Sequence, residues 1–274
     1  WEVTDRLTLN LGVRGESFEN ANINGETFVD IKNQIAPRLG ATFDVFGDRQ
    51  AKLFGFYGRY YLPVAVNTNQ RLAGRELYFR DTYNLNVLNG NLAIDANQDG
   101  IRDDNEQPIL GSLFSEVTLA DGTTKPIATQ VASNLDPMYV DEFIIGYSQR
   151  FGGYTAGVTA TYRDLGRAID DIAIDSALQQ YCEQAGGGLS AASCAGVWSG
   201  FHQYVLANPG EDVTVTLAGS DLAAASGGLI TQDRVVDLAA DDLRFPKPVR
   251  EYKAVEFSLE RAFDGVWGGR VSYV

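Results

Sequence analysis

The sequence predicts an all-β chain: an antiparallel transmembrane β-barrel segment of about seven long strands, with short periplasmic turns and long extracellular loops. Three observations carry that prediction. Apolar and polar residues alternate with period two over stretches long enough for the ~9–11 residues of a tilted membrane strand. The connections between these stretches alternate between minimal turns and very long links. The composition is that of an ordered chain, with 45% hydrophobic residues, 13 Tyr, 14 Phe and 29 Gly in 274 residues. No run approaches the ~20 apolar residues of a membrane helix, and no secretory signal pattern opens the chain. The net charge of -14 argues against a nucleic-acid backbone as partner.

The first strand sets Val3, Leu7, Leu9, Leu11 and Val13 against Thr4, Arg6, Thr8, Asn10, Gly12 and Arg14. The second places Ile35, Pro37, Leu39, Ala41, Phe43 and Val45 on one side and Arg38, Gly40, Thr42 and Asp44 on the other. After the turn FGDRQ comes an aromatic strand, with Phe54, Phe56, Tyr60 and Leu62 expected on the apolar face and Tyr57, Arg59 and Tyr61 opposite. VDEFIIGYSQRF and YTAGVTATYRDL form a hairpin about Gly152 and Gly153. In the latter, Tyr154, Ala156, Val158, Ala160 and Tyr162 alternate with Thr155, Gly157, Thr159, Thr161 and Arg163. EYKAVEFSLERAF and VWGGRVSYV pair about Asp264-Gly265, with Val255, Phe257 and Leu259 set against Ala254, Glu256, Ser258 and Glu260.

Residues 1–274 are therefore assigned to one outer-membrane β-barrel domain, with extracellular loops over about 63–137 and 165–248. Both ends fall inside strands, so the chain is taken as a fragment. Aromatic girdles mark the edges of a barrel's lipid band. The candidates are Phe43, Phe46, Phe54, Tyr60, Phe151, Tyr154, Tyr162, Phe263, Trp267 and Tyr273. A soluble β-sandwich or lectin-like domain also alternates, but its apolar faces must meet each other and its loops need not alternate in length.

The segments APRLGATFDVFGD, KLFGFYGRYYLPVA and LDPMYVDEFIIGYSQRF resemble barrel segments of TonB-dependent outer-membrane receptors, especially the Oar-like branch. The resemblance covers the strand pairs, not the loops. It implies a 22-stranded barrel, an N-terminal plug and energising by an inner-membrane complex that grips an N-terminal box. Neither plug nor box is visible in the chain. The implied location is the bacterial outer membrane, with outer-membrane lipid and an extracellular ligand of unknown identity as partners.

The sharpest local motif is DANQDGIRDDNE. Asp95, Asn97, Asp99, Asp103 and Glu106 fall on the side-chain positions of a twelve-residue calcium loop, Gly100 on its turn, and Ile101 on its carbonyl ligand. Calcium is the expected structural cofactor, and a solvated acidic turn is the alternative. Cys182 and Cys194, the two cysteines, are expected to form a disulfide, with a metal pair as the weaker option. Catalysis is not expected: His202 has neither a neighbouring nucleophile nor an orienting acid. Glu142, Glu256 and Glu260 are expected to balance Arg59, Arg163 and Arg270 along a wet wall. The leading function is ligand uptake by a receptor with recognition loops. The alternatives are a calcium-dependent surface binding or adhesion protein without transport, a diffusion porin and an outer-membrane hydrolase.

Overall fold

The computed structural model describes residues 1–85, 87, 88, 91, 92, 110–198 and 203–274. The chain is all-β in class. Four strands come first: β1 (Glu2–Thr4), β2 (Leu7–Ala21), β3 (Thr27–Asp44) and β4 (Ala51–Leu62). The first long link holds α1 (Val66–Ala73), β5 (Leu77–Leu85), β6 (Val87–Leu88), β7 (Asn91–Leu92), β8 (Leu110–Asp121) and a 3-10 turn at Ile127–Thr129. Then come β9 (Met138–Phe151) and β10 (Tyr154–Arg167). The second link holds β11 (Asp170–Ala173), α2 (Asp175–Ala185), α3 (Ala191–Val197), β12 (Tyr204–Ala207), β13 (Val213–Leu217), α4 (Gly219–Ser226), β14 (Arg234–Leu238) and α5 (Ala240–Leu243). The chain ends with β15 (Glu251–Arg261) and β16 (Gly269–Tyr273).

All seven expected strands join one antiparallel sheet, ordered β1-β2-β3-β4-β9-β10-β15-β16. It is open, with β1 and β16 at its edges. The first expected strand is divided: the chain turns at Asp5-Arg6, so β1 folds back on β2. Arg6 fastens that turn by donating from Nε to the Asp44 carbonyl at 2.9 Å and from Nη2 to the Val45 carbonyl. At the opposite end, β2 and β3 are joined by the short turn Asn22–Glu26, so one connection on the long-link side is also short.

Register assigns the faces, because directly paired residues point to the same side. Leu11, Leu39, Tyr57, Phe143 and Tyr162 form one row across five strands. Leu7, Phe43, Leu53, Tyr147, Val158, Phe257 and Tyr273 form a parallel row. Many of these side chains are exposed, among them Leu11 at 62%, Phe257 at 58% and Tyr273 at 77%, and the others in both rows are half-buried. Such a surface needs an apolar surround.

The aromatic strand corrects the sequence reading. In β4 it is Leu53, Gly55, Tyr57, Arg59 and Tyr61 that share the apolar face, and Phe54, Phe56, Tyr60 and Leu62 lie opposite. Apolar residues occupy both faces of this strand, so periodicity alone leaves its phase open, and pairing with Leu39 and Phe43 decides it. Phe54 and Tyr60 therefore leave the girdle, and Arg59 leaves the polar wall.

The second link is a folded layer, not an irregular connection. Trp198, Ile174, Leu178, Leu217 and Leu222 are wholly buried in one core together with Val213, Val215 and Val236. In β13, Val213, Val215 and Leu217 face inward while Thr214 and Thr216 face out. α2 ends at Gly186, whose φ of 63° opens a run of three left-handed glycines that the chain needs to turn into α3. Ser190 caps α3 by accepting from the Ser193 N–H at 3.2 Å.

The end of the first link is stitched to the second. The Leu206 N–H donates to the Gln130 carbonyl at 2.8 Å, and Gln203 Nε2 donates to the Thr129 carbonyl at 2.6 Å. A second core joins Phe28, Val29 and Ile31 of β3 to Val64, Leu72, Ile169 and Leu206. Residues 74–125 form a separate compact unit, in which β5 pairs β8 from Leu77↔Asp121 to Leu85↔Leu110.

Candidate functional site: a two-faced wall and its folded loops

The sheet carries different chemistry on its two faces. On the apolar face the band is bounded at the short-turn end by Phe46, Phe151, Phe263 and Trp267, which are 62%, 51%, 73% and 49% exposed. At the other end Tyr57, Phe143 and Tyr162 stack in sequence, with centroids 4.9 Å and 6.2 Å apart. Immediately beyond lies the charged row Arg59, Asp141, Asp164 and Glu251. Arg59 donates to Asp141 through Nε and Nη2, both at 2.9 Å, and stacks 3.9 Å from the Tyr139 ring. From Tyr154 to Tyr162 the strand advances about 26 Å. Tilted by about 40°, that projects to roughly 20 Å, close to the ~25 Å apolar band of an outer-membrane barrel.

The opposite face is mixed. At its short-turn end a cavity of about 610 Å³ is lined by Thr8, Thr42, Asp44, Lys52, Ser148 and Arg150, among others. Above it stand Phe54, Phe56 and Ile144. Phe54 lies over Gly146, where an added Cβ would meet its ring at 2.3 Å.

Higher still, one row runs through Gly12, Arg38, Gly58, Glu142, Arg163 and Tyr252. Glu142 is 8% exposed and takes a charge-assisted hydrogen bond from Arg163 Nε. The Tyr60 hydroxyl donates to Glu142 at 3.4 Å, and Arg38 stacks 4.8 Å from the Tyr60 ring. Arg163 stacks 5.4 Å from Tyr252. Lower on this face Arg270 meets Glu256 at 3.3 Å. The expected balance of Glu142 with Arg163 and of Glu256 with Arg270 is present, while Arg59 pairs with Asp141 on the other side. Sequence reasoning missed Arg38 and Tyr60 as members of this cluster, because Tyr60 was placed on the wrong face.

Cys182 and Cys194 form a disulfide that joins α2 to α3, and both are buried. Asn208 is a further organising residue that the sequence did not single out. Its Nδ2 donates to the carbonyls of Asp136 and Ala168 at 2.9 and 2.8 Å, and its Oδ1 accepts from the Asp136 N–H at 2.8 Å. Arg167 adds ion pairs to Asp136 at 3.0 Å and Glu211 at 2.9 Å. Together these tie both loops to the top of β10. The calcium-loop residues Asp95, Asn97, Asp99, Ile101, Asp103 and Glu106, and His202, lie outside the described residues.

No protein-family model matches the chain. A stretch of 71 residues, 26% of the chain, is 39% identical to part of the TonB-dependent transporter Oar of Myxococcus xanthus. That stretch spans 7% of the relative's length. Over it the chain is related to TonB-dependent transporters.

Proposed function

We propose that this chain forms part of the wall and outer loops of a TonB-dependent outer-membrane receptor that takes up an extracellular ligand. The observation that carries the reading is the apolar face of the sheet. It is banded between two aromatic edges, closed above by a charged row, and backed by a face bearing ion pairs and a polar cavity. In water such an open apolar sheet would aggregate, whereas against lipid it is solvated. The second link folds around its own core between β10 and β15, where a loop surface serves recognition.

In this reading the bilayer of the bacterial outer membrane surrounds the apolar face, and the loops stand outside the cell. An inner-membrane complex supplies energy through an N-terminal region of the full protein. The role is transport, not catalysis. Calcium bound by Asp95, Asn97, Asp99, Ile101, Asp103 and Glu106 pins the first loop, on the strength of the residue pattern.

Alkaline carbonate extraction of membranes from cells making the full-length protein tests the reading. An outer-membrane barrel stays in the pellet and needs detergent for release. Recovery in the carbonate supernatant would favour the surface-attached calcium-dependent binding protein without transport.

A further inference from the structure

We propose that Arg38 is an anion-recognising residue on the inner wall, where it takes a carboxylate or phosphate group of the transported solute. This rests on the reading of the chain as a receptor wall, and it specifies the chemistry of what passes.

Arg38 differs from the ion-paired arginines of the sheet, and from the exposed Arg150 in having its Nε buried. Arg59, Arg163, Arg261 and Arg270 each hold a carboxylate. The Arg38 side chain makes no ion pair and no hydrogen bond among the described residues; its Nε is buried without a partner, and its guanidinium lies against the Tyr60 ring. A guanidinium held over a ring keeps its donor edge for a second partner, and that fork matches a carboxylate or phosphate.

The surroundings also favour an anion. The nearest carboxylate in the row, Glu142, is already taken by Arg163 and by the Tyr60 hydroxyl. The row thus carries two guanidiniums and one carboxylate. The residues directly paired with Arg38 are Gly12 and Gly58, so no side chain stands straight across from it, and Tyr60 reaches it from further along β4. Gly58 has a further reason to stay small: an added Cβ would come within 2.9 Å of Phe56 and 3.1 Å of Tyr60, the ring that supports Arg38.

The test is calorimetric titration of the detergent-purified full-length protein with citrate and with inorganic phosphate at constant ionic strength. The unmodified protein is expected to bind at least one of them. Arg38→Gln should weaken that binding by about tenfold or more, the scale of a lost charge-assisted hydrogen bond. Arg38→Lys should fall between, since it keeps the charge and loses the fork. Arg14→Gln, which removes a cation already paired with Glu16 and 58% exposed, should leave binding unchanged. If Arg38→Gln does not reach the membrane, Arg38→Lys supplies the comparison. Absence of binding by the unmodified protein, or equal affinity in the Arg38 variants, overturns the proposal. A protein that carbonate strips from the membrane fails the receptor reading itself; one that stays embedded yet ignores both anions fails this inference alone.

Discussion

At the end of β8, Asp121 closes a turn with its own side chain. Its Oδ1 accepts from the Thr123 hydroxyl at 2.6 Å and from the Thr123 N–H at 3.0 Å. The hydroxyl bond, then the N–H bond, holds the carboxyl below its ordinary range. The sign follows from linkage: a carboxylate with a depressed folded pKa stabilises the turn above its unfolded value near 4, and the contribution fades as pH falls through the folded pKa. Asp121→Ala should therefore speed amide exchange at Thr123 by about threefold or more at neutral pH. The difference from the unmodified protein should close in acid. Sequence made some single residues legible and others not. Val158 against Thr159, or Phe257 against Ser258, declares its face at once. Leu53 beside Phe54, or Tyr60 beside Tyr61, does not, because both neighbours are apolar enough for lipid and only the register with β3 and β9 separates them.

Among the elements, the strands were legible because most of them keep their apolar residues on one face of the sheet. The loops were not. The second link reads as Gly- and Ala-rich, yet its described residues form four short helices and two ribbons around Trp198. Signals were present in the alternation of VTVTL and in SALQQYC, where Ala177, Leu178 and Cys182 fall on one helical face, but each element is too short to announce itself against a long polar background. The disulfide closes a span of 12 residues between α2 and α3, a constraint worth about 3 kcal/mol in the chain-entropy account. The first link carries the calcium pattern between β7 and β8. Calcium should slow proteolysis of this loop several-fold in the unmodified protein, and Asp99→Ala should abolish that protection. Equal cleavage with and without calcium would remove the metal from the account.

At the scale of the whole molecule, the proposed receptor joins two solvent regimes. Its strands expose apolar rows that water would not tolerate, and its links bury a core that resembles the interior of a water-soluble domain. Val29, Leu72, Ile169 and Leu206 share one core, which fastens the second link to β3. The central claim is that one face of the sheet meets lipid and the other meets water. It is tested most directly by spin labels on single introduced cysteines along β10, in reconstituted full-length protein, read by collision with oxygen and with a water-soluble nickel chelate. Cys182 and Cys194 are bonded to each other and leave no free thiol within this chain. Labels at Val158 and Ala160 should collide with oxygen, and labels at Thr159 and Thr161 with nickel, in strict alternation. Nickel access at all four positions would contradict the membrane wall.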